Sequence, residues 1–439
     1  MPLTLRSRSS GRGEEAAAVR AWALYDWGNS AFATAVVAGL YPVMLKGWWG
    51  AELESTRTTF LLGLVSAAVA LGVAVLAPLL GAVADGLGRR RAFLGAFAFL
   101  GAAATAGLAL AGEGAWRTAL ALYGIAALGF GAANAFYDAL LTQVASPRDY
   151  DRVSAYGYAL GYLGGGLFFA AAMGVVLGHE SLGLDSRAQA VQGVLVATAL
   201  WWAAFTVPVL RRVRESQAAE PGLHGVRAAL GAGWRRLRET FHHVRRLKPV
   251  AWFLAAYWLY IDGVNTVFRM AVDYGAALGL GTGHLLGALL LTQFVSFPAA
   301  LAFGRIGERW GSRAGIWLGL AVYGAVTAWG YFLVAAWQFY VLALAVGLVQ
   351  GGVQSLSRAW YARLVPPEAA AEFFGFYNVV GRFAAVLGPL AVGLTAELAG
   401  SHRLALLALL AFFGLGGLLL ARVPDPARPG LRRSPAPPP

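Results

Sequence analysis

Two acids lie within long apolar stretches of this chain, each inside the same short pattern. Trp22, Asp26, Asn29, Ser30 and Phe32 recur 236 residues later as Trp258, Asp262, Asn265, Thr266 and Phe268. An Asp at the centre of a membrane helix costs roughly 2.5–3.5 kcal/mol on insertion scales, which marks it as a functional group. On a helix, Trp22, Asp26, Asn29 and Ala33 share one face and Ser30 flanks it. No cation lies on that helix near Asp26. Two readings are open: Asp26 binds and releases a proton, or it is a fixed partner that caps backbone or pairs with another helix.

The second copy is richer in charge. Asp262, Asn265, Thr266, Arg269 and Asp273 form one stripe, in which Arg269 and Asp273 are i, i+4 neighbours that can pair. Asn378 and Arg382 also share a face. A guanidinium offers a fork of donors matched to a carboxylate, so Arg269 or Arg382 could receive the acid end of a zwitterionic solute. The alternative is charge compensation between helices. All four Asn (Asn29, Asn134, Asn265 and Asn378) fall inside apolar stretches, although Asn favours loops. Gln354 stands where the internal repeat places a counterpart of Asn134. Asp138 and Arg358 occupy matching positions in the two halves, which suggests a latch that pairs when one gate shuts; two separate local pairs are the other reading.

These residues need helices to position them. The chain of 439 residues is 58% hydrophobic and 13% charged, against about 25% charge in an ordinary soluble domain. Twelve apolar spans are expected, at 16–45, 60–84, 92–112, 118–145, 153–178, 189–210, 250–278, 285–303, 314–336, 338–365, 370–396 and 403–422. The first is overlong, which implies tilt or an interfacial turn. The expected plan is a disordered tail (1–15), a six-helix bundle (16–210), a basic linker (211–249), a second six-helix bundle (250–422) and a second disordered tail (423–439). In the linker, Leu230, Trp234, Leu237, Phe241 and Val244 keep helical spacing while arginines fall off the stripe. That pattern fits an amphipathic helix on the membrane surface or a solvated linker helix.

The net charge of +13 raises the question of nucleic acid, and its distribution answers it. With the N-terminus inside, 28 of the 35 Lys and Arg fall on inner segments and five on outer ones. This is the positive-inside bias, so the basic balance reports topology and contact with anionic lipid. Both termini are expected on the cytoplasmic side of an inner (cytoplasmic) membrane, and no nucleic-acid partner is expected. There is no Cys, no Walker-A run, no metal-spaced cluster and no nucleophile elbow. An enzyme is therefore not expected, nor a cofactor.

The internal repeat extends further. Gly81-x-x-x-Asp85-Gly86-x-Gly88-Arg89-Arg90 after span two matches Gly304-x-x-x-Glu308-Arg309-x-Gly311-Ser312-Arg313 after span eight. Gly131-x-x-Asn134-x-x-x-Asp138 matches Gly351-x-x-Gln354-x-x-x-Arg358, and Pro147 and Pro367 follow at the same offset. With these loops and twelve spans, the chain resembles a major facilitator superfamily transporter. The run Tyr25-Asp26-Trp27-Gly28-Asn29-Ser30-Ala31-Phe32-Ala33 is similar to that of the branch containing the fungal vacuolar amino-acid effluxers and many bacterial members.

The resemblance implies an all-α membrane protein with twelve transmembrane helices in two pseudo-symmetric six-helix bundles. It implies alternating access around a site lined by spans one, four, seven and ten, in a scaffold that works as a monomer. The expected substrate-binding set is Asp26, Asn29, Asn134, Asp262, Asn265, Thr266, Arg269, Gln354, Asn378 and Arg382, with Asp26 and Asp262 as proton carriers. Tyr25, Tyr137, Tyr260 and Tyr377 could add donors and apolar walls. Gating is expected from Asp85, Arg89, Arg90, Asp138, Glu308, Arg309, Arg313 and Arg358. The function implied is proton-coupled efflux of a small polar or zwitterionic solute. A drug or sugar exporter, or a receptor or lipid scramblase on the same scaffold, are the alternatives.

Overall fold

The computed structural model describes residues 8–215, 247–277, 282–333, 335–384, 387–388, 391–392, 394–395 and 402–424. Among these, the chain forms twelve principal helices and no strand. We number them α1 (8–49), α2 (Ser55–Leu87), α3 (Arg90–Leu108), α4 (Trp116–Val144), α5 (Tyr150–Leu177) and α6 (Arg187–Arg212) in the first half. The second half holds α7 (Lys248–Ala277), α8 (Thr282–Trp310), α9 (Ser312–Gly330), α10 (Ala336–Leu364), α11 (Ala370–Phe383) and α12 (His402–Ala421). Eight of them are long and apolar enough to cross a bilayer by their own composition. Helices are the required form here, because hydrocarbon offers no partner to an unpaired backbone group. Large apolar side chains such as Phe60, Leu64, Leu71 and Val75 stay exposed along α2, a stripe suited to lipid.

Three expectations meet a different outcome or no description. The first helix begins at Arg8, inside the segment read as a disordered tail, and Glu14 pairs with Arg214 at 3.1 Å. It is helical from Arg8 rather than starting as an interfacial turn, and it runs unbroken to residue 49 through two π-helical stretches, Phe32–Leu40 and Leu45–Trp49. Pro42 lies between them and has no N–H to give, while the N–H of Tyr41 bonds Val36 O five residues back. The amphipathic stripe of the linker lies at 216–246, outside the described residues.

The halves meet through exchanged pairs of helices. α2 packs on α11 and α5 on α8; α4 packs on α11 and α5 on α10. Adding six to each number, in a cycle of twelve, converts one pair into the other, as a two-fold relation between bundles requires. Glycine makes the seams close. A Cβ on Gly81 of α2 would lie 2.5 Å from Ala371 O, and one on Gly375 of α11 would lie 2.7 Å from the Pro78 backbone. On the other seam a Cβ on Gly304 of α8 would lie 2.7 Å from Ala155 Cβ of α5. Small residues of this kind let backbones touch where lipid supplies no hydrophobic drive. The loop glycines also have a backbone role. Gly88 (φ 61°) and Gly311 (φ 87°) are the matched glycines of the two loop motifs. Gly88 closes α2 in a Schellman turn, with Gly88 N–H on Asp85 O and Arg89 N–H on Ala84 O.

The start of α1, the end of α12 and the loops after α2, α4, α8 and α10 are linked by contacts on one face, called the terminal face below. Forcing a branched side chain into the α2–α11 seam should cost about 1–3 kcal/mol of the packed state. Gly81→Val in this Cys-free chain, with Ser355→Cys as reporter, should therefore label roughly fivefold or more faster from the terminal face. A polar maleimide measures this, and an unchanged rate would show that the seam does not hold that face shut.

Candidate functional site

A cavity of ≈ 320 Å³ lies between the bundles. Its walls come from six helices. α1 contributes Asp26, Asn29, Ser30 and Thr34; α4 contributes Asn134, Tyr137 and Asp138; α5 contributes Tyr158, Gly161 and Tyr162. Across from them stand Gln293 of α8, Gln354 and Arg358 of α10, and Asn378 of α11. The i, i+4, i+7 spacing predicted for α1 thus delivers Asp26 and Asn29 to one wall. Thr34 and Ala38, in the first π-helical stretch, continue it. Asn29 Nδ2 donates to Asn134 Oδ1 at 2.6 Å, tying α1 to α4.

The floor, toward the terminal face, is a buried ion pair across the bundles. Arg358 Nη1 donates to Asp138 Oδ1 at 3.0 Å, its Nε to Ser154 Oγ at 2.8 Å and its Nη2 to Ser154 O at 2.9 Å. Asn378 Nδ2 donates to the other Asp138 oxygen at 3.0 Å. The guanidinium also lies over the rings of Tyr158 (4.3 Å), Trp22 (4.8 Å) and Tyr137 (5.3 Å). Cation–π contacts gain strength when desolvated, as here. Trp22 is locked in turn, stacked on Tyr137 at 4.5 Å with its Nε1 on Tyr137 O at 2.9 Å. Ser154 Oγ donates to Ser355 O at 2.8 Å, a further stitch between α5 and α10. The direct pairing geometry suggested by the matched positions of Asp138 and Arg358 is present in this state.

Nearer the terminal face, each seam carries its own charged tie. Asp85 receives the N–H groups of Ala371 and Glu372 at the start of α11 (3.4 and 3.1 Å), where a helix N-terminus favours an anion. Arg90, fully buried, bonds Asp85 and places Nη2 on Pro367 O (2.8 Å) and Glu368 O (3.0 Å). The mirror seam draws its charged residues from outside the loop pattern. Asp151, at the start of α5, accepts from Arg363 Nη2 at 2.6 Å, Arg363 Nη1 at 3.1 Å and Ser312 Oγ at 2.7 Å. Arg363 Nε reaches Pro147 O at 2.9 Å, the counterpart of the Arg90 bond to Pro367.

Several predicted residues stand elsewhere. Arg89 is exposed. Glu308 and Arg309 are exposed as well; Glu308 has only a 3.7 Å approach to Arg152, a surface pair of little energetic weight. Arg313 caps the end of α12 through Ala421 O at 2.9 Å. Asp262 and Thr266 are fully buried but are not among the cavity-lining residues, and neither is Asn265. Asp262 Oδ2 accepts Gly388 N–H at 3.0 Å and its Oδ1 accepts the Thr266 hydroxyl at 3.4 Å. The cause is Gly388, where a Cβ would fall 2.0 Å from Thr266 Oγ1, so its backbone covers the acid. Tyr137 lines the cavity, whereas Tyr25, Tyr260 and Tyr377 are buried in the core. The side chains of Arg269 and Arg382 lie outside the described residues.

The residues missed by sequence reading include Thr34, Ser154, Tyr158, Tyr162, Gln293, Asp151 and Arg363. Asp151 and Arg363 carried a usable signal: both are charges at helix ends beside the paired prolines Pro147 and Pro367. The others are polar groups on Gly-rich spans, with no charge or repeat to raise them above packing. Removing one partner of a buried pair costs about 3–5 kcal/mol. Asp138→Arg or Arg358→Asp alone should therefore lower the thermal midpoint in detergent sharply. The double exchange should recover much of that loss, and no recovery would count against direct pairing.

The family model for "Vacuole effluxer Atg22 like" proteins matches residues 48–149 and 142–426. The uncharacterised MFS-type transporter YxiO of Bacillus subtilis is 36% identical over 406 residues, covering 92% of this chain and 94% of that protein. Autophagy-related protein 22 of Gibberella zeae is 28% identical over 57% of this chain, and the match spans 41% of that longer protein. The solved structure of the human organic anion transporter MFSD10 superposes with a TM-score of 0.72 at 17% identity, over 92% of this chain and 99% of that one, which establishes the major facilitator fold. A family model spanning both bundles and a full-length relative at that identity agree: the chain belongs to the vacuole effluxer Atg22-like branch of the major facilitator superfamily transporters.

Proposed function

We propose that this transporter exports a small polar or zwitterionic solute, with amino acids as the leading class, by alternating access coupled to protons at Asp26. The observation that carries the reading is the position of Asp26 in the inter-bundle cavity, among amides and hydroxyls and above a floor made of residues from both bundles. The positive-inside bias supports cytoplasmic termini in an inner membrane. In that orientation the terminal face is cytoplasmic, and the described state is closed on that side by the Arg358, Arg90 and Arg363 ties. All three bridge the bundles, so rocking one bundle against the other breaks them together and opens the site inward.

Proton coupling is assigned to Asp26, because Asp262 is covered by the Gly388 backbone in this state. Arg269 and Arg382 are proposed as partners for a carboxylate where the solute carries one, not as a requirement for binding. The scaffold needs a single chain, and contact with anionic lipid follows from its basic inner loops.

Purified protein in vesicles, screened with amino acids and other small polar solutes with and without a pH gradient, tests the proposal. One solute class should move with protons; Asp26→Asn should abolish that proton movement and Asp262→Asn should leave it measurable. Solute flux that never moves protons would remove the coupling, and the absence of any flux would remove the transport reading.

A further inference from the structure

We infer that Asp26 holds the ammonium group of the solute and the proton by turns, so that the chain exchanges a protonated primary amine for a proton and the solute's carboxylate is dispensable. This rests on the transport reading above and narrows its substrate class.

The inference comes from the distribution of charge around the cavity. Three described lining residues carry a formal charge: Asp26, Asp138 and Arg358. Asp138 is fully engaged, one oxygen on Arg358 and the other on Asn378. Arg358 gives Nε, Nη1 and Nη2 to Ser154 and Asp138 and lies against three aromatic rings. The pair is internally neutral and built into the floor. Asp26 accepts a long hydrogen bond of 3.4 Å from the Ser30 hydroxyl four residues on. Among the described lining residues, the charge left facing the cavity is therefore one carboxylate, which attracts a cation and repels an anion.

The surroundings suit an ammonium. Such a group has three donors and no acceptor. Beside the Asp26 carboxylate stands the Ser30 hydroxyl; the Thr34 hydroxyl lies along the same helix, and the amides of Asn134 and, from the opposite bundle, Gln354 also line the cavity. Gly161 faces the carboxylate from α5, where a Cβ would sit 3.0 Å from Asp26 Cγ and 3.1 Å from Oδ1. The missing side chain leaves no partner of α5 bonded to that carboxylate. The faces of Tyr158 and Tyr162 complete the wall, and Tyr162 is steadied by its 3.3 Å bond to Gln354 Oε1. The titratable and charged groups that face Asp26 are Asp138 and Tyr137 from α4, Tyr158 and Tyr162 from α5, and Arg358 from α10; α8 and α11 contribute the neutral amides of Gln293 and Asn378. One carboxylate cannot hold a proton and pair with an ammonium at once, so each ligand displaces the other. Exchange follows from that exclusion without a second carrier.

The test uses the full chain in detergent, weakly buffered, with a pH indicator. The probes are three matched series: the standard amino acids, their carboxamides and their N-acetyl forms. Free acids and carboxamides that bind should both release protons from the wild type, and the N-acetyl forms should release none. Asp26→Asn should lose the release and bind the active amines about tenfold or more weakly, the loss expected of a charged hydrogen bond. Asp26→Glu should retain release. Thermal unfolding of Asp26→Asn near the wild-type midpoint shows that the loss is not misfolding. If that midpoint falls, Gly161→Val, which crowds the carboxylate without removing it, must weaken the amines in its place. Proton release by N-acetyl forms, release that survives Asp26→Asn, or silence from every amine overturns the inference. Vesicle transport of an N-acetylated or neutral solute would do the same while leaving the transport reading intact.

Discussion

The structure depends most on one buried charge pair, Asp138 with Arg358. Taking two such groups out of water costs several kcal/mol per ion, and only good geometry with further hydrogen bonds offsets it. Both conditions are met: Asn378 and Ser154 take up the remaining valences and three aromatic rings shield the guanidinium. Because the partners belong to different bundles, the pair is at once the floor of the cavity and a tie across the molecule. The same placement makes it breakable. When the bundles part, water enters, and the attraction falls toward its weak value in high dielectric.

Around that pair the two seams use one principle with different residues. Glycines bring α2 against α11 and α8 against α5 closely enough for short polar groups to reach backbone across the gap. On the first seam the loop motif provides the tie, with Asp85 at the N-terminus of α11 and Arg90 on the preceding carbonyls. On the second, the acid comes from α5 and the guanidinium from α10, while Ser312 of the loop motif joins as a hydroxyl. The duplicated scaffold therefore keeps the need for a bond at each seam and leaves open which helix supplies it.

The same divergence separates the two repeated acids. Asp26 meets Gly161, whose backbone does not bond it, and faces the cavity. Asp262 meets Gly388, whose N–H does bond it, and is covered. Trp22 is buried against Tyr137, while its repeat partner Trp258 is partly exposed. One half of the molecule thus carries a carboxyl that lines the cavity and the other a carboxyl covered by backbone.

Helix number, the two-bundle plan and the loop glycines were legible in the chain, because lipid forces backbone bonds inside each segment and leaves length, apolarity and charge bias as local signals. The type and spacing of Asp26, Asn29, Asn134, Gln354 and Asn378 also marked a polar site inside apolar helices. Local pattern could not say which acid of a repeated pair faces the cavity. That turns on how near a neighbouring helix comes, a distance decided by a single missing side chain on another span. Nor could it find Asp151 with Arg363, or the cage around Arg358, whose members are separated by about 200 residues of chain. Periodicity reports one helix at a time; the site is a property of six helices at once, and only their packing assigned each polar group its partner.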